Sequence, residues 1–85
     1  MTRYHVEILP PAAKEYHAIP ATHRKSVKNA ILALEQNPRG RQVKKLKGSE
    51  YYRLRSGDWR IIYSISNPRG LVTIIAVERR SSTTY

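Results

Sequence analysis

The sequence predicts one small α+β domain over residues 1–85, with two helices on one face of a mainly antiparallel, four-stranded sheet in the order β-α-α-β-β-β. Three observations support this prediction. A chain of 85 residues suits one modest core. Apolar and polar residues alternate near the N-terminus and in the second half of the chain, which is typical of strands. Between these regions, apolar residues recur at helical spacing.

The first strand and first helix are separated by a pair of prolines. Residues 4–8 alternate apolar and more polar side chains, as a half-buried strand does. Pro11 suits the first turn of a helix, because its missing N–H would have no intrahelical partner there. A short helix is therefore predicted over residues 12–19, and Pro20 stops it.

The second helix is predicted from an amphipathic stripe. Thr22 is its predicted N-cap, and Asn37-Pro38 marks the end of the segment. The stripe follows the i, i+3, i+4, i+7 spacing and consists of Val27, Ala30, Ile31 and Leu34.

The remaining strands form a hairpin and a return strand. Ser56-Gly57-Asp58 is a turn signal, with Gly57 suited to the first central position of a type II′ turn. Strands are predicted on both sides of it, at about residues 51–55 and 59–65. A second turn at residues 67–70 precedes a β-branched stretch over residues 71–77, typical of a buried strand.

A two-residue hairpin loop fixes which side chains share a face. The core face then holds Tyr52, Leu54, Ile61 and Tyr63. The other face holds Arg53, Arg55 and Arg60, with Arg55 directly opposite Arg60. Like charges in this position destabilise a sheet by roughly 0.2–1 kcal/mol. Lysines would protect an exposed hairpin from aggregation equally well, so three arginines favour phosphate binding.

The charge balance indicates a polyanionic partner. Sixteen Lys and Arg against six Asp and Glu give a net charge of +10, for which nucleic acid is the default ligand. The excess is concentrated between residues 39 and 60. Residues 39–47 alone are interpreted as a solvated basic loop, but the continuation into the hairpin favours a binding surface. Besides Arg53 and Arg60 of the hairpin, the predicted nucleic-acid-binding residues are Lys44, Lys45, Lys47, Arg55 and Arg80.

Other kinds of chemistry have little support. There is no cysteine, so thiolate chemistry and disulfides are excluded. The three histidines lack metal-ligand spacing, and no glycine-rich phosphate loop or nucleophile elbow is present. No stretch approaches the roughly 18 apolar residues of a membrane span, and no apolar signal-peptide core begins the chain. A soluble cytoplasmic protein without metal or cofactor is predicted.

The hairpin carries a recognisable motif. Leu46-Lys47-Gly48, followed by the segment YRLRSGDWRIIY at residues 52–63 and a strand ending near Arg79-Arg80, resembles the RelE/ParE toxin superfamily. The resemblance covers essentially the whole chain and agrees with the predicted order of elements. It implies the toxin of a toxin–antitoxin system, and its RelE branch implies a ribosome-dependent, metal-independent endonuclease that cuts mRNA in A-site codons.

The resemblance also implies roles for four residues. Tyr85 would be the general base for attack of the 2′-hydroxyl on the adjacent phosphate, leaving a 2′,3′-cyclic phosphate and a 5′-hydroxyl. Arg60 and Arg79 would stabilise the transition state. Arg53 would assist with charge or with leaving-group protonation. Tyr51 stands where the best-known RelE toxins have a second lysine, with Lys45 or Lys47 as possible substitutes.

Two other functions remain open at this point. A ParE-like toxin would inhibit DNA gyrase without nuclease activity, and a general basic domain would only bind nucleic acid. The Arg79-to-Tyr85 spacing favours the nuclease. The implied partners are an acidic antitoxin, the ribosome and mRNA, but no membrane. The free toxin is expected to be a monomer that forms an oligomeric complex with its antitoxin.

Overall fold

The computed structural model describes residues 4–40, 43–66 and 68–79. The elements in chain order are β1 (His5–Ile8), α1 (Pro10–His17), α2 (Ala21–Ala33), β2 (Val43–Lys45), β3 (Tyr51–Ser56), β4 (Trp59–Ser66) and β5 (Leu71–Arg79). The five strands form one sheet in the order β1-β5-β4-β3-β2. β1 runs parallel to β5, and the other pairs are antiparallel. The α+β class is confirmed, with one strand more than the predicted four.

The additional strand is β2, which lies within the segment predicted to be a basic loop. Its three residues pair with β3, Val43 opposite Leu54 and Lys44 opposite Arg53. The stretch is too short, and too rich in lysine, to show a strand pattern in the sequence. The loop interpretation was therefore wrong for residues 43–45.

Both helices begin on residues other than those predicted. α1 begins at Pro10, with Leu9 as its extended N-cap, and ends at His17. α2 begins directly after Pro20, which is the N-cap residue at φ −54° and ψ 141°. The predicted cap, Thr22, lies inside the first turn instead, and no side chain caps this helix. A proline already in extended geometry sets the boundary two residues before the threonine.

The core lies between the helices and one face of the sheet. Its largest fully buried side chains are Tyr63, Ile19, Leu34, Ile61, Ile74, Val27 and Val72. The Tyr63 hydroxyl donates a 2.7 Å hydrogen bond to the Pro38 carbonyl. Burial raises the pKa of this phenol, so it stays a protonated donor and ties β4 to the segment after α2.

The predicted hairpin register is confirmed. Ser56 faces Trp59, Arg55 faces Arg60, and Tyr52 faces Tyr63. Gly57 has φ +59°, and none of the other described residues except two glycines has a positive φ. A positive φ at the first central position alone is what a type II′ turn requires.

A β-bulge in β5 changes which side chains face the core. Ile62 pairs with Ala76, but its neighbour Tyr63 pairs with Ile74, so Ile75 is the extra residue. Beyond the bulge, Val77 is buried where strict alternation from Val72 would have buried Ala76.

Candidate nucleic-acid interface

The face of the sheet opposite the helices carries the basic residues. Leu54 of β3 and Ile61 of β4 are buried against the helix layer, so their immediate neighbours point to the other side. The register aligns these neighbours in rows across three or four strands. The first row holds Arg55, Arg60 and Glu78, and the second holds Lys44, Arg53, Ile62 and Ala76. We call Lys44, Arg53, Arg55 and Arg60 the basic face.

Two pairs of like charges lie directly opposite each other on this face. Lys44 is paired with Arg53, and Arg55 with Arg60. Side chains in such positions are only about 4.5–5.5 Å apart at Cβ, and like charges there are destabilising. Lys44 and Arg55 are exposed, whereas Arg53 and Arg60 are partly buried. Four cations at this spacing form a site that a phosphate group would stabilise.

One acid partly neutralises the basic face. An Arg60 Nη2–H donates to Glu78 Oε1 at 3.3 Å, across the β4–β5 pair. The Arg60 Nε is buried and has no hydrogen-bond partner. Because this atom is buried, a phosphate would bind Arg60 through the terminal nitrogens of the guanidinium, where it would compete with Glu78. Sequence reasoning overlooked Glu78, because only the register of β4 and β5 places it beside Arg60.

An open cleft of about 620 Å³ adjoins the basic face. Its lining comes from β2, β3, the hairpin turn and α2, and comprises Ala30, Lys44, Arg53, Arg55, Ser56 and Gly57. Three of the lining residues are cations: Lys44 of β2 and Arg53 and Arg55 of β3, with Lys44 opposite Arg53. A single strand of nucleic acid in the cleft would pass all three.

Two of the predicted binding lysines lie away from the basic face. Lys45 faces Tyr52, so it alternates to the other side of the sheet, where it is exposed at the edge. Lys47 lies in the turn between β2 and β3. Both line a second, shallower hollow of about 440 Å³ formed by residues 45–50. Arg80 and Tyr85 lie outside the described residues.

Arg79 is separated from Arg60 by the sheet itself. Trp59 and Arg79 are register partners on the helix-covered side, and the guanidinium carbon lies 5.9 Å from the indole centroid. The Trp59 Nε1–H donates to His23 Nδ1 of α2 at 3.2 Å. The β5 bulge reverses the side on which Arg79 emerges, and the structure therefore does not bring Arg79 to the phosphate site predicted around Arg60.

Within the described residues, no group of three or more His, Asp or Glu side chains could hold a metal ion. None of the described helices is long and apolar enough to cross a bilayer.

Comparison with known proteins agrees with this architecture. A family model described as the ParE toxin of the type II toxin–antitoxin system parDE matches residues 6–83. A protein of Methanocaldococcus jannaschii named as a RelE1 toxin is 32% identical over 82 residues, covering 92% of this chain and 91% of the relative.

Solved structures give the same result. The archaeal RelE–RelB complex from Pyrococcus horikoshii matches with a TM-score of 0.83 at 30% identity, covering 98% of this chain and 100% of that one. The RelBE2 toxin–antitoxin complex from Mycobacterium tuberculosis matches with a TM-score of 0.83 at 25% identity, covering 92% and 99%. The isolated Escherichia coli RelE toxin shares the fold at a TM-score of 0.83 and 21% identity, covering 95% and 88%.

The two helices on a five-stranded sheet, with a basic open face, define a small RelE-like α+β domain. The chain belongs to the ParE toxin family within the RelE/ParE superfamily, and it is a toxin of a type II toxin–antitoxin system.

Proposed function

We propose that this toxin is a ribosome-dependent mRNA endonuclease. The observation that supports it most directly is the basic face, where Lys44 lies opposite Arg53 and Arg55 lies opposite Arg60, so that four cations share one side of the sheet. In the reaction, the 2′-oxygen attacks the adjacent phosphorus and the 5′-oxygen leaves. The products are a 2′,3′-cyclic phosphate and a 5′-hydroxyl, because the leaving 5′-oxygen takes up one proton, from Arg53 or from solvent, to balance the proton that the 2′-hydroxyl loses. No water enters this step.

The proposed roles follow from position. Arg60 and Arg53 bind the non-bridging oxygens and stabilise the charge that grows on them. Arg55 and Lys44 hold the neighbouring backbone phosphates. Tyr85 takes the proton from the 2′-hydroxyl, a role that rests on the resemblance alone. A phenol is a poor base at neutral pH unless neighbouring cations stabilise its ionised form, so this role requires basic side chains close to Tyr85. The place of Arg79 beside Trp59 supports a role in packing rather than in phosphate binding.

A second function has a specific observation in its favour. The family model that matches is that of ParE toxins, and the basic face would equally suit the phosphates of DNA bound to a topoisomerase. In that case the chain would inhibit DNA gyrase and cleave nothing itself.

The partner proposed for the toxin in the resting state is an acidic antitoxin. The solved complexes from Pyrococcus horikoshii and Mycobacterium tuberculosis contain toxin and antitoxin together. A cationic toxin with an exposed leucine on α2, Leu32, offers both charge and apolar surface to such a segment.

Primer extension on a translated message, with and without the protein, tests the proposed function. Cuts within ribosome-occupied codons, absent with Arg60→Ala, are expected. Intact messages together with double-strand breaks that depend on gyrase would overturn the nuclease proposal and support the alternative.

A further inference from the structure

Tyr51 is the large aromatic residue that the sheet leaves uncovered beside the basic face. Its side chain is 44% exposed, more than any other large hydrophobic residue of the described chain except Leu32. By alternation along β3, Tyr51 lies on the same side of the sheet as Arg53. Its cross-strand partner is Ser64, whose small side chain cannot cover the ring.

The row that contains Tyr51 is polar. Ser64 pairs with Thr73 on β5, and Thr73 pairs with Glu7 on β1, so the row reads Tyr51, Ser64, Thr73 and Glu7 across four strands, with its one charge at the end far from Tyr51. No side-chain hydrogen bond within the described residues involves either hydroxyl, and no ring contact there involves Tyr51. An apolar ring face flanked by two available hydroxyl groups matches the chemistry of a nucleobase, which has a π face and a polar edge.

The backbone holds Tyr51 in place before any ligand arrives. The Tyr51 N–H donates to Ser49 Oγ at 3.1 Å, and the Tyr51 carbonyl accepts from the Leu46 N–H at 2.8 Å. The Ser49 hydroxyl in turn donates to the Leu46 carbonyl at 3.2 Å. Gly48, at φ +74°, permits the tight turn that these bonds close. The backbone of Tyr51 is therefore fixed before binding, and only the two side-chain torsions of the tyrosine have to be ordered when a base binds.

We propose that Tyr51 is a stacking platform for a base of single-stranded RNA whose phosphate lies between Arg53 and Lys44. Alternate residues of a strand are about 6.6–6.8 Å apart, comparable with the reach from a phosphate to its own base. The base stacks on the ring, and Ser64 and Thr73 meet its polar edge. Tyr51 is then a positioning residue: by holding one base, it determines which phosphate of the RNA lies beside the cations. This role rests on the proposed function.

A substrate–variant cycle tests the stacking. A fluorescent seven-nucleotide RNA is compared with versions that lack one base at each position in turn, and affinity is measured by anisotropy. For the unaltered toxin, one abasic position should weaken binding about 5- to 150-fold. Tyr51→Ala should weaken binding of the intact RNA by the same factor and should be insensitive to that abasic position. Tyr51→Phe should bind like the parent.

The control is Ile8→Ala, which removes another exposed apolar side chain from β1, at the edge of the sheet farthest from β2. It should bind RNA like the parent, and equal melting temperatures should show that all variants are folded. If the losses from Tyr51→Ala and from the abasic position multiply, or if Tyr51→Ala binds like the parent, the stacking inference is overturned.

Failure of the inference is distinguishable from failure of the proposed function. If Arg53→Ala weakens RNA binding and ribosomes show codon cleavage while Tyr51→Ala behaves like the parent, only the stacking is wrong. If the parent binds no RNA and cuts no message, both are wrong.

Discussion

Arg60 and Glu78 form an ion pair across β4 and β5, with the carboxylate oxygen 3.3 Å from Nη2. Both side chains are substantially exposed, at 31% and 47%. The carboxylate lies in the same row as Arg55 and Arg60. Under the proposed function, a phosphate of the RNA would compete with Glu78 for the same guanidinium.

Removal of this competing charge should strengthen RNA binding. Glu78→Gln keeps the shape and frees Arg60, and exposed ion pairs contribute about 0.2–1 kcal/mol. An increase in affinity of up to about fivefold is expected for a short single-stranded RNA. Glu35→Gln, which removes an equal charge from the segment that follows α2, is the matched control. Equal effects of the two variants would mean that only net charge matters.

Salt dependence reports how many cations contact the RNA backbone. Each phosphate neutralised on a single strand contributes about 0.7 to the slope of log affinity against log salt. Replacing both Arg53 and Arg55 with Ala should therefore reduce the slope by about 1.4. The control replaces Lys25 and Lys28, two exposed residues of α2, and should leave the slope nearly unchanged. An unchanged slope in the arginine variant would show that neither residue meets a phosphate.

The hairpin could be predicted from the sequence, because its determinants are local. Gly57 selects the turn, the turn fixes the register, and alternation then assigns Arg53, Arg55 and Arg60 to one face. The position of β1 beside β5 depends on contacts between distant segments, which no local pattern contains. β2 lies close to β3 in the chain, but its three residues are too few and too rich in lysine to show a strand pattern.

The face of Arg79 was unpredictable for a related reason. Counting from Val72 by strict alternation places Arg79 on the same side as Arg60. The bulge at Ile75 reverses that order, and nothing in the β-branched sequence of β5 marks where a bulge falls. The spacing between Arg79 and Tyr85 therefore indicated a family motif, but it could not show on which side of the sheet the Arg79 side chain lies.

Glu15 should stabilise the bulged strand. β1 pairs with β5 only as far as Ile74, and beyond it the Val77 N–H donates to Glu15 Oε1 of α1 at 2.8 Å. Glu15→Ala leaves this partly buried donor without a partner, at a cost of about 1–3 kcal/mol. For a domain of this size, each kcal/mol lowers the melting temperature by about 4–8 °C. Glu7→Ala should melt within a degree or two of the parent, and an equally stable Glu15→Ala would contradict the role.

Arg60 and Arg79 should differ in what their loss affects. Arg60→Ala should slow single-turnover cleavage on programmed ribosomes by about 10²–10³-fold, as loss of one transition-state donor does. Arg79→Ala removes a cation–π contact to Trp59, worth about 0.5–1 kcal/mol at an exposed site. It should lower stability and change cleavage much less. If Arg79→Ala is as slow as Arg60→Ala but melts like the parent, Arg79 reaches the phosphate after all.

A substitution at Tyr85 can distinguish a role in catalysis from a role in binding, because it changes only one atom of the side chain. Tyr85→Phe removes the hydroxyl and keeps the ring, so ribosome affinity should change little. If the phenol is the general base, cleavage should slow by about 10²–10⁴-fold. A chain truncated after Thr84 should cleave equally slowly. Arg80→Ala is the control, because it removes a charge close to Tyr85 in the sequence and keeps the phenol. Single-turnover cleavage on programmed ribosomes measures all three. A Tyr85→Phe variant that cuts as fast as the parent, while Arg60→Ala is inactive, would place the active element in the hairpin alone.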